Sequence, residues 1–261
     1  MKFTKKSLGQ NFLIDKNIIL KIINLIDLKD KNVIEIGPGK AALTNEILNK
    51  NPKTLSIIEK DYDLAKKLKK QYLDTNKIKV YNKDILKFDL ENLITNNSVI
   101  FGNLPYNISS QILIKILKFN SWPPKLSDII FMFQKELGEK IIGKYNSPHY
   151  GRLSIISNYR LNILNKFLVS ANCFFPKPKV KSMVIHFQPK NILKFKIKDL
   201  NNLENVTNII FSNKRKMINK SIKNILNDNE IKNIKKLKIN SRPSEIPPEI
   251  YYQITELFEK K

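Results

Sequence analysis

Cysteine is nearly absent from this chain: Cys173 stands alone, so no disulfide can form within it. Histidine is almost as scarce, and His149 and His186 cannot supply a zinc constellation. No apolar run reaches the roughly 18 residues that a membrane helix requires. The opening Met1-Lys2-Phe3-Thr4-Lys5-Lys6 lacks the apolar stretch of a secretory signal, so the expectation is a soluble, cytoplasmic globular protein with no structural metal. Arginine is rare too, at Arg152, Arg160, Arg215 and Arg242. What replaces these residues is lysine, asparagine and isoleucine, the signature of AT-rich coding.

Acidic residues are the other deficit. Against 47 Lys and Arg stand 23 Asp and Glu, a net charge of +24. Coding bias that only exchanged Arg for Lys would leave that balance unchanged. The excess points to a polyanionic partner bound through phosphate contacts. The 261 residues, 42% hydrophobic, suffice for one large domain with a smaller appendage.

Along the chain, apolar runs and helical periodicity alternate. A helix over Ile18 to Ile26 precedes a buried strand at Asn32 to Ile36, which ends at Gly37. A helix over Ala41 to Leu48, a strand at Thr54 to Ile58, a helix over Tyr62 to Leu73 and a strand at Ile78 to Tyr81 continue the rhythm. Ser98 to Phe101 forms a fourth strand, Ile108 to Phe119 a helix, Asp128 to Phe133 a fifth strand, and Val180 to Phe187 a late antiparallel strand at the sheet edge. This order implies a parallel α/β sheet built of right-handed crossovers. Beyond about Asn191 the strand signal fades. Helical patches at 202–211, 216–226 and 248–258 mark a small all-α domain, which gives domains at 1–190 and 191–261.

Two loops carry the chemistry. Glu35-Ile36-Gly37-Pro38-Gly39-Lys40-Ala41-Ala42 joins the first strand to its helix, where glycines let backbone approach a ligand. Gly37-x-Gly39-x-x-Ala42 also satisfies a loose dinucleotide fingerprint, so a nicotinamide enzyme competes at this point. Glu59 closes the second strand, 22 residues after Gly37, and suits a pair of ribose hydroxyls; Asp84, after the third strand, suits an adenine amino group.

The decision comes from Phe101-Gly102-Asn103-Leu104-Pro105-Tyr106-Asn107. The adenine amino nitrogen is a poor nucleophile because its lone pair is shared with the ring. Acceptors on the Asn103 side chain and the Leu104 carbonyl can take its two N–H groups and localise that lone pair toward an electrophile. Pro105 stiffens the turn, and Tyr106 offers a ring for an extracted base. A dehydrogenase has no use for paired acceptors there. S-adenosylmethionine therefore fits the first loop better than a nicotinamide.

The segments Leu8 to Leu13, Glu35 to Thr44, Ile58-Glu59, Asp84, Phe101 to Ser109, Gln134 to Glu136, Tyr150 to Ser154, Phe174-x-Pro176-x-Pro178-Lys179-Val180 and Asn213 to Lys216 resemble the ribosomal RNA adenine dimethyltransferase family over nearly the whole length. The resemblance implies a Rossmann-like class I S-adenosylmethionine-dependent methyltransferase with a small helical C-terminal domain. It implies cofactor contacts from Asn11, Leu13, Gly37, Glu59, Asp84 and Asn103, and catalysis by Asn103, Leu104, Tyr106 and Phe174, the last as a second stacking ring chosen over Phe175 by its spacing to Pro176. RNA contacts are expected from Arg152, Lys214, Arg215 and Lys216, the last three near one helical face with Lys220 and Lys223. The implied activity is dimethylation of two neighbouring adenosines in the 3'-terminal hairpin of 16S rRNA, on immature small subunits, by a monomer. A large-subunit (23S) rRNA methyltransferase conferring antibiotic resistance and an RNA-binding assembly factor are the alternatives. The short, lysine-only arm before Gly9 departs from the family's Arg-containing one.

Overall fold

The computed structural model describes residues 10–260, which divide into two compact units. The first comprises the described residues up to Gly138 together with Asn162–Pro189; the second comprises Glu139–Leu161 and Lys190 onward. The C-terminal break at 189/190 lies one residue from the expected boundary. Residues 139–161 nevertheless pack with the C-terminal helices, an excursion that a single linear boundary does not capture. The expected basic arm lies outside the described residues.

In the first unit, β1 (Phe12–Leu13) and α1 (Lys16–Ile23) lead into β2 (Asn32–Ile36), α2 (Ala42–Asn49), β3 (Thr54–Glu59), α3 (Tyr62–Gln71) and β4 (Ile78–Asn82). Then follow β5 (Ser98–Asn103), α4 (Ser109–Leu117), β6 (Leu126–Gln134) and α5 (Lys135–Ile141), which runs into the second unit. After α6 (Arg152–Arg160) of the second unit come β7 (Leu161–Val169), β8 (Phe174–Phe175) and β9 (Ser182–Pro189). The strands order as β4-β3-β2-β5-β6-β9-β7, with β2 to β6 parallel and β9 antiparallel to β6. Their near-continuous apolar runs are what a parallel sheet covered by crossover helices requires.

Two expectations are corrected here. The late strand is antiparallel but not at the edge, because β7 lies outside it. β7 escaped the sequence reading because Asn162, Asn165 and Lys166 interrupt its apolar residues, and Leu164 and Leu168 are exposed. It has the polar composition of an edge strand.

The strand order reverses between β2 and β5. At such a switch point the connections leave in opposite directions and open a crevice beyond the strand ends. The loop after β2 starts at Gly37 and the turn after β5 starts at Asn103. Topology thus brings together the two motifs that sequence had singled out separately.

The second unit is helical, adding α7 (Leu200–Phe211), α8 (Asn219–Lys223), α9 (Asp228–Asn233) and α10 (Pro248–Phe258) to α6. Buried tyrosines organise its core through hydroxyl-to-carbonyl bonds: Tyr150 to Ile246 at 2.9 Å, Tyr251 to Pro243 at 2.7 Å and Tyr252 to Ile155 at 2.8 Å. Each satisfies a polar tip that burial would otherwise leave unpaired.

Candidate active site

The crevice is a cleft of about 1120 Å³ including its open mouth. Its walls come from residues 10–13, the loop after β2, the end of β3, and the turn Asn103 to Ile108. Gly37 and Gly39 have φ of +68° and +58°, a conformation unfavourable for residues with a Cβ. Gly39 is constrained a second time, because a Cβ there would lie 2.7 Å from the Phe12 ring. Ala41 also takes positive φ as the residue that starts α2, and no side chain caps that helix. The first-turn N–H groups of α2, beside Ala42 and Leu43 of the cleft wall, are left for a ligand.

Residues 10–13 form a strap over this loop. Phe12 and Leu13 pair with Phe175 and Phe174 through β1 and β8. Gln10 donates to the Asp61 carboxylate at 3.1 Å, and the Asp61 N–H donates to Glu59 Oε1 at 2.8 Å. Gly39 N–H donates to Glu59 Oε2 at 3.3 Å. Glu59 is thereby fixed in the cleft with lone pairs to spare, and burial pushes its carboxyl pKa up. Asp84 is not itself in the wall, although Lys83 and Ile85 on either side are. Its carboxylate meets Lys60 at 2.8 Å and accepts the Leu86 N–H at 3.0 Å; these bonds, the Lys60 one first, hold its pKa below the usual carboxylate range.

The turn after β5 is pinned from several directions. Asn103 Nδ2 donates to the Asn11 carbonyl at 3.1 Å, and Oδ1 accepts nothing from the described residues. The Leu104 carbonyl accepts nothing from the described residues, while the Leu104 side chain is buried. Tyr106 is half-buried against the cleft, and its hydroxyl bonds Ser182 Oγ at 2.7 Å. Two acceptors and a ring therefore sit on one rigid turn.

Phe174 is corrected. Expected as the second stacking ring, it is 3% exposed and packs in the apolar core opposite Leu13. Strand alternation turns the next ring outward, and Phe175 is 56% exposed. The basic trio is corrected as well. Lys214, Arg215 and Lys216 occupy the exposed turn between α7 and α8, not a helical face, and Lys223 pairs with Asp228 at 3.0 Å. Arg152 opens α6 in the second unit, with its Nε buried and unpartnered.

The glycine-loop motif by itself gives Glu35 no role. It is 1% exposed and lines the cleft, and Thr44 Oγ1 donates to its Oε2 at 2.6 Å. Desolvation raises its pKa to about 7. A carboxylate inside the otherwise apolar run Val33-Ile34-Glu35-Ile36 was the signal that could have marked it.

Among the described residues no cluster could hold a metal ion, and no helix is long and apolar enough to cross a membrane. Solved structures share the fold. A dimethyladenosine transferase from Plasmodium falciparum superposes with a TM-score of 0.76 at 23% identity, covering 95% of this chain and 98% of that one. The 23S rRNA methyltransferase ErmE superposes at 0.71 with 22% identity, covering 95% and 100%. The architecture is that of the Rossmann-like class I methyltransferases, which use S-adenosylmethionine. Among curated relatives, the ribosomal RNA small subunit methyltransferase A of Pelagibacter ubique (strain HTCC1062) is 42% identical over 259 residues, 98% of this chain and 97% of its own. The protein of the same name from Buchnera aphidicola subsp. Baizongia pistaciae (strain Bp) is 41% identical over 236 residues, 89% and 88% of the two chains. The family described as ribosomal RNA adenine dimethylase matches residues 1–260. With its Asn103–Tyr106 turn, glycine loop and near-complete coverage, this chain belongs to that ribosomal RNA adenine dimethylase family.

Proposed function

We propose that the protein dimethylates N6 of two neighbouring adenosines in the 3'-terminal hairpin of 16S rRNA, acting in the cytoplasm as a monomer on immature small subunits. The names of its curated relatives support the small subunit over the large one. The observation that carries the chemistry is Asn103, whose amide is anchored through Nδ2 so that Oδ1 is the free acceptor beside the Leu104 carbonyl.

Bound S-adenosylmethionine supplies an electrophilic methyl group on a positively charged sulfur. The cleft fits such a cofactor: a glycine loop admits it closely, α2 offers free N–H groups, and Glu59 retains acceptor capacity for two hydroxyls. Asn11, Leu13 and Gly37 would hold the same molecule from the strap and the loop, and Asp84 its adenine amino group. Asn103 Oδ1 and the Leu104 carbonyl accept the two N–H groups of the target and turn its lone pair toward the cleft. Tyr106 supports the extracted ring by stacking. The rest is positioning at near-attack distance, with no covalent intermediate. Alkylation makes the nitrogen acidic, so its proton leaves to water without a dedicated base. Arg152, Lys214, Arg215 and Lys216 contact RNA phosphates.

The test is incubation with labelled S-adenosylmethionine and unmodified small subunits, followed by nucleoside mass spectrometry. Dimethyladenosine at the two hairpin positions is expected. Tight particle binding without methyl transfer would replace this reading with that of an assembly factor.

A further inference from the structure

The parallel strands β2 to β6 all end on the side of the sheet that carries the cleft, so a strand antiparallel to them must begin on that side. β9 is that strand. Its first residue, Ser182, lies opposite Gln134, the last residue of β6, and the Lys135 N–H donates to the Lys181 carbonyl at 2.9 Å. Ser182 is thus delivered to the cleft end of the sheet at 0% exposure, although it belongs to no cofactor loop. Its hydroxyl lies 2.7 Å from that of Tyr106, 76 residues earlier.

Two tethers then act on Tyr106. Its carbonyl accepts from Ser109 Oγ at 3.2 Å, which holds the backbone of the turn. The Ser182 bond holds the far tip of the ring. A tyrosine side chain chooses among staggered rotamers about Cα–Cβ and turns broadly about Cβ–Cγ; because the hydroxyl oxygen lies on the Cβ–Cγ axis, a tether there restrains the first rotation and so the position and long axis of the ring. A buried serine hydroxyl left without its partner carries a desolvation penalty, which favours the tethered state further.

We propose that Ser182 is a positioning residue for methyl transfer: its hydroxyl, carried to the cleft end of the sheet by the antiparallel strand, holds in place the Tyr106 ring on which the target adenine stacks. Ser182 touches neither adenine nor cofactor; it acts through Tyr106. This rests on the reading of Tyr106 as the stacking platform.

The experiment compares Ser182→Ala, Tyr106→Phe, the double variant and Tyr106→Ala on unmodified small subunits, with S-adenosylmethionine binding measured by calorimetry and folding by thermal melting. Ser182→Ala and Tyr106→Phe each remove the bond while keeping the ring. Each should lower kcat by about tenfold, the scale of one hydrogen bond. KM for particles and Kd for S-adenosylmethionine should stay within about twofold, because one interaction distributed over many contacts sets neither. The double variant should be no slower than the worse single, since both delete one bond. Additive losses would overturn the proposal, as would wild-type kcat in Tyr106→Phe. Tyr106→Ala separates the two readings. If it is inactive while Ser182→Ala and Tyr106→Phe turn over normally, stacking stands and positioning by Ser182 falls. If Tyr106→Ala keeps full turnover, the platform itself is wrong. Should Ser182→Ala melt early, Tyr106→Phe reports the same bond from the cleft side.

Discussion

The cleft of the first unit and the basic turn of the second use charge in opposite ways. At the cleft, Glu35 and Glu59 in the wall and Asp61 beside it are buried and held by named donors. In the second unit, Lys214, Arg215 and Lys216 stand exposed on a turn. Buried charge is fixed in place and costly to disturb, which suits chemistry that depends on position. Exposed lysine is mobile and screened by salt, which suits attraction of a polyanion. Substitutions in the two regions should therefore fail differently.

The largest contrast lies within one dipeptide, the one paired with Phe12 and Leu13 of the strap. Phe174→Ala should destabilise the fold by about 3–5 kcal/mol through loss of a core aromatic. Phe175→Ala, at an exposed ring, should stay within about 0.5 kcal/mol. Denaturant unfolding of both variants decides it, and equal losses would return Phe174 to the cleft surface.

Asn103→Ala should reduce kcat by roughly 100- to 1000-fold, the scale seen when one acceptor or donor aimed at developing charge is removed. Particle binding should persist, because the exposed lysines are untouched. Parallel loss of binding and turnover in filter-binding and methylation assays would show that the two regions are not separable in this way.

Glu35 sharpens the comparison through pH. Its pKa is raised from 4.5 in the unfolded chain to about 7 in the fold, so between those values the native state binds more protons than the unfolded one. Stability must fall as pH rises through that window and level off above it. At about 1.4 kcal/mol per unit, the cost above pH 7 is on the order of 3 kcal/mol. Glu35→Gln keeps an acceptor for Thr44 and removes the titration. It should gain on wild type as pH rises from 4.5 to 7; identical pH–stability curves would place the titration elsewhere.

Charge reversal at Lys214, Arg215 and Lys216 should have the mildest effect at any one salt concentration, about tenfold in RNA affinity or ~1.4 kcal/mol. Its signature is the slope of log affinity against log salt, which should flatten by roughly 2–3. S-adenosylmethionine affinity, read by calorimetry, should not move. A change there would mean that the second unit had misfolded.

Much of the fold was legible because parallel strands are apolar throughout and their ends are punctuated. The sequence places Gly37 and Glu59 at strand ends and Asn103 in the turn after the fourth strand; Gly37 follows β2, while Glu59 and Asn103 are the last residues of β3 and β5. Short polar elements were less legible. α9 holds six residues, too few for periodicity to register, whereas the five-residue α8 lies within the helix expected at 216–226. The segment 139–161 gave no sign that it belongs with the C-terminal helices, since its partners are contributed by Ile246 and Tyr252, about a hundred residues away.

The sequence by itself determined the alternation of elements, the places of the glycine loop and of the Asn103–Tyr106 turn at strand ends, and the excess of positive charge. All of these are local, set by neighbours a few positions apart or by composition. Tertiary structure alone decided which of Phe174 and Phe175 faces out, which end of the Asn103 amide is free, and that Ser182 reaches Tyr106. Those depend on strand register and on pairings 76 to 163 residues apart. A one-residue shift in register reverses every facing side chain without altering the local pattern that sequence displays.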